Sequence, residues 1–152
     1  MATYITSPGG TTGATSSPPI LTLTSSVSGS LVLPGLQDVT VNSANDVFTW
    51  TQLDQAAKLQ IATTSTNSIS TNLVVDGTLF FGDSGGSVGA ADTLGLLGLS
   101  NDKTAITFSI NIGDKTLSGA GFVTGLAPSV SADSPVWVSP VTITVNGEYT
   151  VS

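Results

Sequence analysis

The feature that most constrains this chain is an apolar alternation of period two, recurring from residue 20 to the C-terminus. It is sharpest at Ile106, Phe108, Ile110 and Ile112, which share one face of a strand while Thr107, Ser109 and Asn111 share the other. Gly113-Asp114 follows. A glycine first in a two-residue turn supplies the positive φ of a type II′ hairpin, so a second strand is predicted over 115–124. Leu21/Leu23, Leu31/Leu33 and Val39/Val41 carry the same beat earlier, and Val47 and Trp50 follow them. Past Ser131-Ala132-Asp133-Ser134-Pro135 the apolar phase shifts from Val136/Val138 to Val141/Ile143/Val145. Pro140 stands at the shift and has no N–H to donate, which predicts a bulge or an edge position.

Two further local signals fill in the pattern. Asp76-Gly77 lies between Asn72-Leu73-Val74-Val75 and Thr78-Leu79-Phe80-Phe81, and Asp-Gly between β-formers predicts a type I′ hairpin tip. Residues 90–99 are the best helix candidate: Leu94, Leu96 and Leu97 give a short apolar face and Asp92 is a candidate N-cap, while Gly95 and Gly98 keep it short. Residues 52–59 suit one helical turn or a strand bend. Many strands and one short helix predict a mainly β protein, an antiparallel β-sandwich or barrel.

At 152 residues, of which 39% are hydrophobic, the chain is one domain able to build a core without disulfides. Residues 1–19 are rich in Gly, Ser, Thr and Pro and read as a flexible N-terminal arm, either disordered or ordered by a neighbour. Residues 20–152 form a single β-domain. Charged residues are only 9%, against about 25% in an ordinary domain. The surface is therefore mostly Ser, Thr, Asn and Gly, which suits close approach of copies. The net charge is −7, from ten acids and three lysines. No basic patch can form, so a sequence-independent grip on phosphates is not expected. The start lacks the basic and apolar regions of a signal peptide, and residues 20–36, broken by Ser, Gly and Pro34, fall short of a membrane span. Synthesis in a cytoplasm and no membrane partner are expected.

Gly82-Asp83-Ser84-Gly85-Gly86 is spelled like the nucleophile loop of chymotrypsin-like proteases. A serine hydroxyl needs a general base at neutral pH, and the chain has no His, no Cys and no Arg. Lys58, Lys103 and Lys115 are the only amines on side chains, and none stands three residues after Ser84, as a Ser-x-x-Lys pair built on that serine would need. Residues 82–89 are expected to be a turn-rich loop. Asp76 and Asp83 are too few for a metal site, and no phosphate-binding glycine motif occurs. No catalytic residue, metal ligand or cofactor is assigned, and the chain is expected not to be an enzyme.

The segment 104–149 combines a strand, a turn, Gly121-Phe122-Val123-Thr124-Gly125-Leu126-Ala127-Pro128-Ser129-Val130 and Trp137-Val138-Ser139-Pro140-Val141-Thr142-Ile143-Thr144-Val145-Asn146-Gly147. It resembles the closing half of the major tail tube proteins of tailed bacteriophages, and Leu94-Gly95-Leu96-Leu97-Gly98-Leu99 falls where such proteins place their single helix. The resemblance covers about a third of the chain. It implies a sandwich-like barrel that forms rings, commonly of six copies, stacked into a virion tail tube. The implied partners are further copies, other phage tail proteins, and genome DNA that passes without specific binding along a lumen whose acids repel phosphate. It also implies that loop 82–92 lies at a subunit or ring boundary. Two alternatives stay open: a capsid decoration or fibre domain, and a carbohydrate-binding module using Trp50, Trp137 and Tyr149, since exposed aromatics stack on sugars.

Overall fold

The computed structural model describes residues 4–6, 14–16, 20–26, 29–33, 36–83 and 93–152. Its strands are β1 (Tyr4–Thr6), β2 (Ala14–Ser16), β3 (Leu21–Ser25), β4 (Gly29–Leu33), β5 (Leu36–Trp50), β6 (Leu59–Val74), β7 (Gly82–Asp83), β8 (Thr93–Leu94), β9 (Ile106–Ile112), β10 (Lys115–Leu126), β11 (Ser129–Ser131), β12 (Ser134–Val145) and β13 (Thr150–Val151). Helices α1 (Gly77–Phe81) and α2 (Leu96–Asn101) flank the β7–β8 pair. Within the stretch read as an arm, β1 and β2 pair in parallel.

Nine strands make one antiparallel sheet in the order β4-β3-β9-β10-β12-β6-β5, with β11 added to β12 and β13 to β10. Its two end strands are neighbours in sequence: β4 stops at Leu33 and β5 starts at Leu36. Three Cα–Cα steps span at most about 11 Å, whereas seven flat strands would separate the edges by about 29 Å. The sheet must therefore roll until these ends approach. Consistent with this, the apolar faces of β3, β4, β6, β9, β10 and β12 share one buried cluster, which Phe80 of α1 and Leu96 and Leu99 of α2 complete. No ladder joins β4 to β5 among the described residues, so the roll is a single open sheet and not a closed barrel.

The alternating positions fold as expected. Leu21, Leu23, Leu31, Leu33, Phe108, Ile110, Val141 and Ile143 are all buried. The β9–β10 hairpin pairs Ile112 with Lys115, and Gly113 takes φ 68° while Asp114 does not join it at positive φ, as a type II′ turn requires.

Three expectations are corrected. Asp76-Gly77 is no hairpin tip: the Asp76 carboxylate accepts from the N–H groups of Thr78 (3.0 Å) and Leu79 (3.1 Å) and caps α1. The short acidic side chain that favours tight turns serves equally as an N-cap. The sheet therefore carries two short helices, not one. The second runs from Leu96 to Asn101 instead of 90–99; Gly95 is its N-cap, without a side-chain bond, and Leu94 belongs to β8. Gly95 sits where an added Cβ would strike the carbonyl of Phe80, so glycine lets α1 and α2 approach closely. Asp92 lies outside the described residues. Finally, Pro140 is on an interior strand and stays in register with Asn72 of β6. On its other flank β10 has ended, its last pair being Leu126 with Val141, and β11 resumes only with Ser129 opposite Val138. The missing donor thus faces a gap in the ladder.

Candidate assembly surface

The sequence assigns no catalytic residue, cofactor site or metal ligand, and Ser84 of the protease-like motif lies outside the described residues. Among the described residues no three acidic side chains gather as a metal site, and no helix is long and apolar enough to cross a membrane. The three aromatics of the sugar-binding alternative are dispersed. Trp50 stacks on Phe48, with centroids 5.9 Å apart. Tyr149 meets Phe108 edge-on at 6.2 Å. Trp137 stands at the start of β12.

What stands out is a projecting hairpin. The β12–β6 ladder ends at Val145 opposite Asn67, but β5 and β6 remain paired to Trp50 and Leu59. Beyond that point the hairpin has two strands only, extending about 25 Å. Residues 42–49 and 60–66 are all exposed. Residues 51–58 form the loop at its end, so the stretch 52–59 read as a helical turn or strand bend is loop up to 58, with Leu59 already in β6, and Leu53 is fully exposed.

A bulge gives this hairpin one apolar face. The register slips between Asn45 and Val47, so two residues of β6, Thr63 and Thr64, stand against one of β5, Asp46. Asp46 organises the slip: its backbone carbonyl accepts from the Thr63 hydroxyl (3.2 Å) and its carboxylate from the Thr64 hydroxyl (2.9 Å). Side chains alternate along a strand, so one extra residue moves the rest of β6 to the opposite face. Phe48 comes to pair with Ile61 and Trp50 with Leu59. These four share the face away from the core, a plaque on which Phe48 is 59% and Ile61 56% exposed. Without the slip, Ile61 and Leu59 would face the other way. Ser/Thr/Asn repetition around the slip hid it from the sequence reading; the one available signal was the aromatic pair Phe48/Trp50 opposite Leu59/Ile61.

The base of the hairpin is clamped by the C-terminal segment. The Tyr149 hydroxyl donates its hydrogen between the carbonyls of Asn42 (2.6 Å) and Ser68 (2.9 Å), which are cross-strand partners. Asn67 donates from Nδ2 to the Gly147 carbonyl at 2.8 Å. Burial of the ring disfavours the phenolate and raises the Tyr149 pKa above its ordinary 10.0.

No protein-family model and no curated protein matches the sequence. Solved structures do match the fold. The tail of an empty gene transfer agent particle with C6 symmetry superposes with a TM-score of 0.62 at 15% identity, over 88% of this chain and 94% of that one. The SPP1 tail tube gives 0.59 at 10% identity, over 88% and 77%. The cap that terminates the anti-feeding prophage tube gives 0.54 at 14% identity, over 88% and 87%. The superpositions run over 88% of this chain, which thus has the fold of these tail-tube and tube-cap structures.

Proposed function

We propose that the chain is the tail tube subunit of a phage-like particle: a non-enzymatic structural protein that forms rings, stacked into the channel through which DNA passes. The observation that carries this reading is the exposed β5–β6 hairpin with its apolar plaque, on a fold shared with tail tubes. A free two-stranded hairpin is marginal in water, and exposed apolar surface of this kind marks an interaction site. The open sheet edges, β4 and the fifteen residues of β5, offer further templates for strand pairing with another copy. Six copies per ring is the expectation, from the C6 symmetry of the gene transfer agent tail.

The charge supports passage of DNA without grip. With −7 net and three lysines, the surface repels phosphates more than it holds them. The protein acts in the virion tail, with further tail proteins at the tube's ends, and the N-terminal stretch contributes to contact with a neighbouring copy. Sedimentation and negative-stain imaging of the purified protein test the reading. Rings with six-fold averages, growing into tubes with concentration, support it; a monodisperse monomer at every concentration contradicts it.

A further inference from the structure

Asn146 is the one asparagine of the chain followed by glycine, and the bend it opens after β12 belongs to neither the core nor the helices. Asn146 is exposed. Gly147 takes φ 104°, and no atom lies within 4 Å of where its Cβ would stand. Its N–H has no acceptor among the described residues. The residues that follow the other asparagines are held differently. Ser43, Asp46, Ser68, Leu73 and Ile112 lie within strands, and the Asp102 N–H donates to the Gly98 carbonyl at 2.9 Å.

Two pins hold the bend on either side of the Gly147 nitrogen. The Asn146 N–H donates to the Ala120 carbonyl at 2.7 Å, and the Gly147 carbonyl accepts from Asn67 Nδ2 at 2.8 Å. Asn67 is only 3% exposed, and its Oδ1 has no partner among the described residues. Tyr149, next but one in the chain, closes the base of the hairpin.

We propose that Asn146-Gly147 is a self-modification site whose reaction with water releases the Tyr149 clamp as the protein ages. The Gly147 nitrogen loses its proton to solvent and attacks Asn146 Cγ. The N–Cγ bond forms, the Cγ–Nδ2 bond breaks, and Nδ2 takes up a proton from solvent and leaves as ammonia. Water then opens the cyclic imide at either carbonyl, leaving aspartate or isoaspartate at 146. One water is consumed and one ammonia released, with no change of oxidation state. Glycine favours the closure because it has no Cβ to obstruct it. Isoaspartate carries the main chain through Cβ and Cγ, one carbon longer than before. The Ala120 pin continues the β10–β12 ladder, so the Asn67 bond yields to the added length and Tyr149 is displaced with it. The inference stands apart from the tail tube reading, since it needs only a single folded chain.

Peptide mapping of purified protein held at pH 7, 8 and 9 tests it, beside Asn146→Gln, whose longer side chain would have to close a larger ring. Asn146→Ser serves the same purpose should the glutamine variant lose the fold. Wild type should exchange NH2 for OH at 146 before any other asparagine, as two products of equal mass, one of them a substrate for an isoaspartyl methyltransferase. The rate should rise about tenfold per pH unit, because the nitrogen attacks as its conjugate base. Returned to pH 7, aged wild type should lose amide protection at 42–46 and 64–68, while the aged variant keeps it. Another asparagine reacting first, or Asn146 still intact when the urea-unfolded chain has half converted, overturns the site. Isoaspartate at 146 with unchanged protection at 42–46 and 64–68 overturns the release of the clamp.

Discussion

Single side chains decide how the two short helices meet the sheet. Asp76 satisfies two orphan N–H groups at the start of α1, so Asp76→Ala should lower stability by about 1 kcal/mol in denaturant titration. Gly77 follows it without positive φ and with open space where a Cβ would sit. Gly77→Ala should therefore be neutral or stabilising by about 0.5 kcal/mol, whereas a type I′ tip would make it destabilising. Gly95 is the reverse case. Its missing Cβ is where the Phe80 carbonyl and the Gly82 nitrogen lie, so Gly95→Ala should destabilise by about 1–3 kcal/mol. A melting temperature unchanged in Gly95→Ala would show that α1 and α2 do not approach as described.

At the scale of elements, the sequence displayed strands that bury one face and concealed those that bury none. Residues 106–112 and 141–145 alternate apolar with polar because the core takes every second side chain. The outer half of β5–β6 has no core to face, so its Ser/Thr/Asn run carries no period and neither its length nor its bulge was legible. Asp-Gly and the Leu-Gly repeat were ambiguous for a different reason: the residues that make tight turns also cap and end helices. The candidate surface was therefore visible only in part, through Trp50, named for a strand's apolar beat and for the sugar-binding alternative. The hairpin's base gives a pH test. The raised Tyr149 pKa means that the unfolded chain ionises first as pH climbs. The tyrosine's contribution is thus complete below about pH 10 and is lost as pH rises through the higher folded value. Protection of the amides at 42–46 and 64–68, relative to their intrinsic base-catalysed exchange, should fall above pH 10, and Tyr149→Phe should show that loss already at pH 7 while 106–112 stays protected. Equal exchange in wild type and Tyr149→Phe would remove the clamp. Asp46→Ala should similarly loosen the outer hairpin, measured as faster proteolysis between 47 and 62, with the body's melting temperature nearly unchanged.

For the whole molecule, the low charge decides what drives assembly. With 9% charged residues, contacts between copies rest on apolar burial and edge pairing. Added salt should leave assembly unchanged or promote it by screening the −7 self-repulsion, and a sedimentation series from low to high salt reads this directly. Removal of residues 2–17 should leave the melting transition of the domain near wild type and shorten the tubes, since residues 20–152 hold the nine-stranded sheet and its core. Long tubes from the truncated protein would take the N-terminal stretch out of assembly.

Assembly of a tail tube through the projecting hairpin is tested by electron microscopy of wild-type protein beside a variant whose residues 44–65 are replaced by a two-residue turn. Wild type should give six-fold rings stacked into tubes, and the variant a folded protein with the wild-type melting transition but no tubes. Tubes from the shortened protein, or wild-type protein that remains monomeric at high concentration, would contradict it.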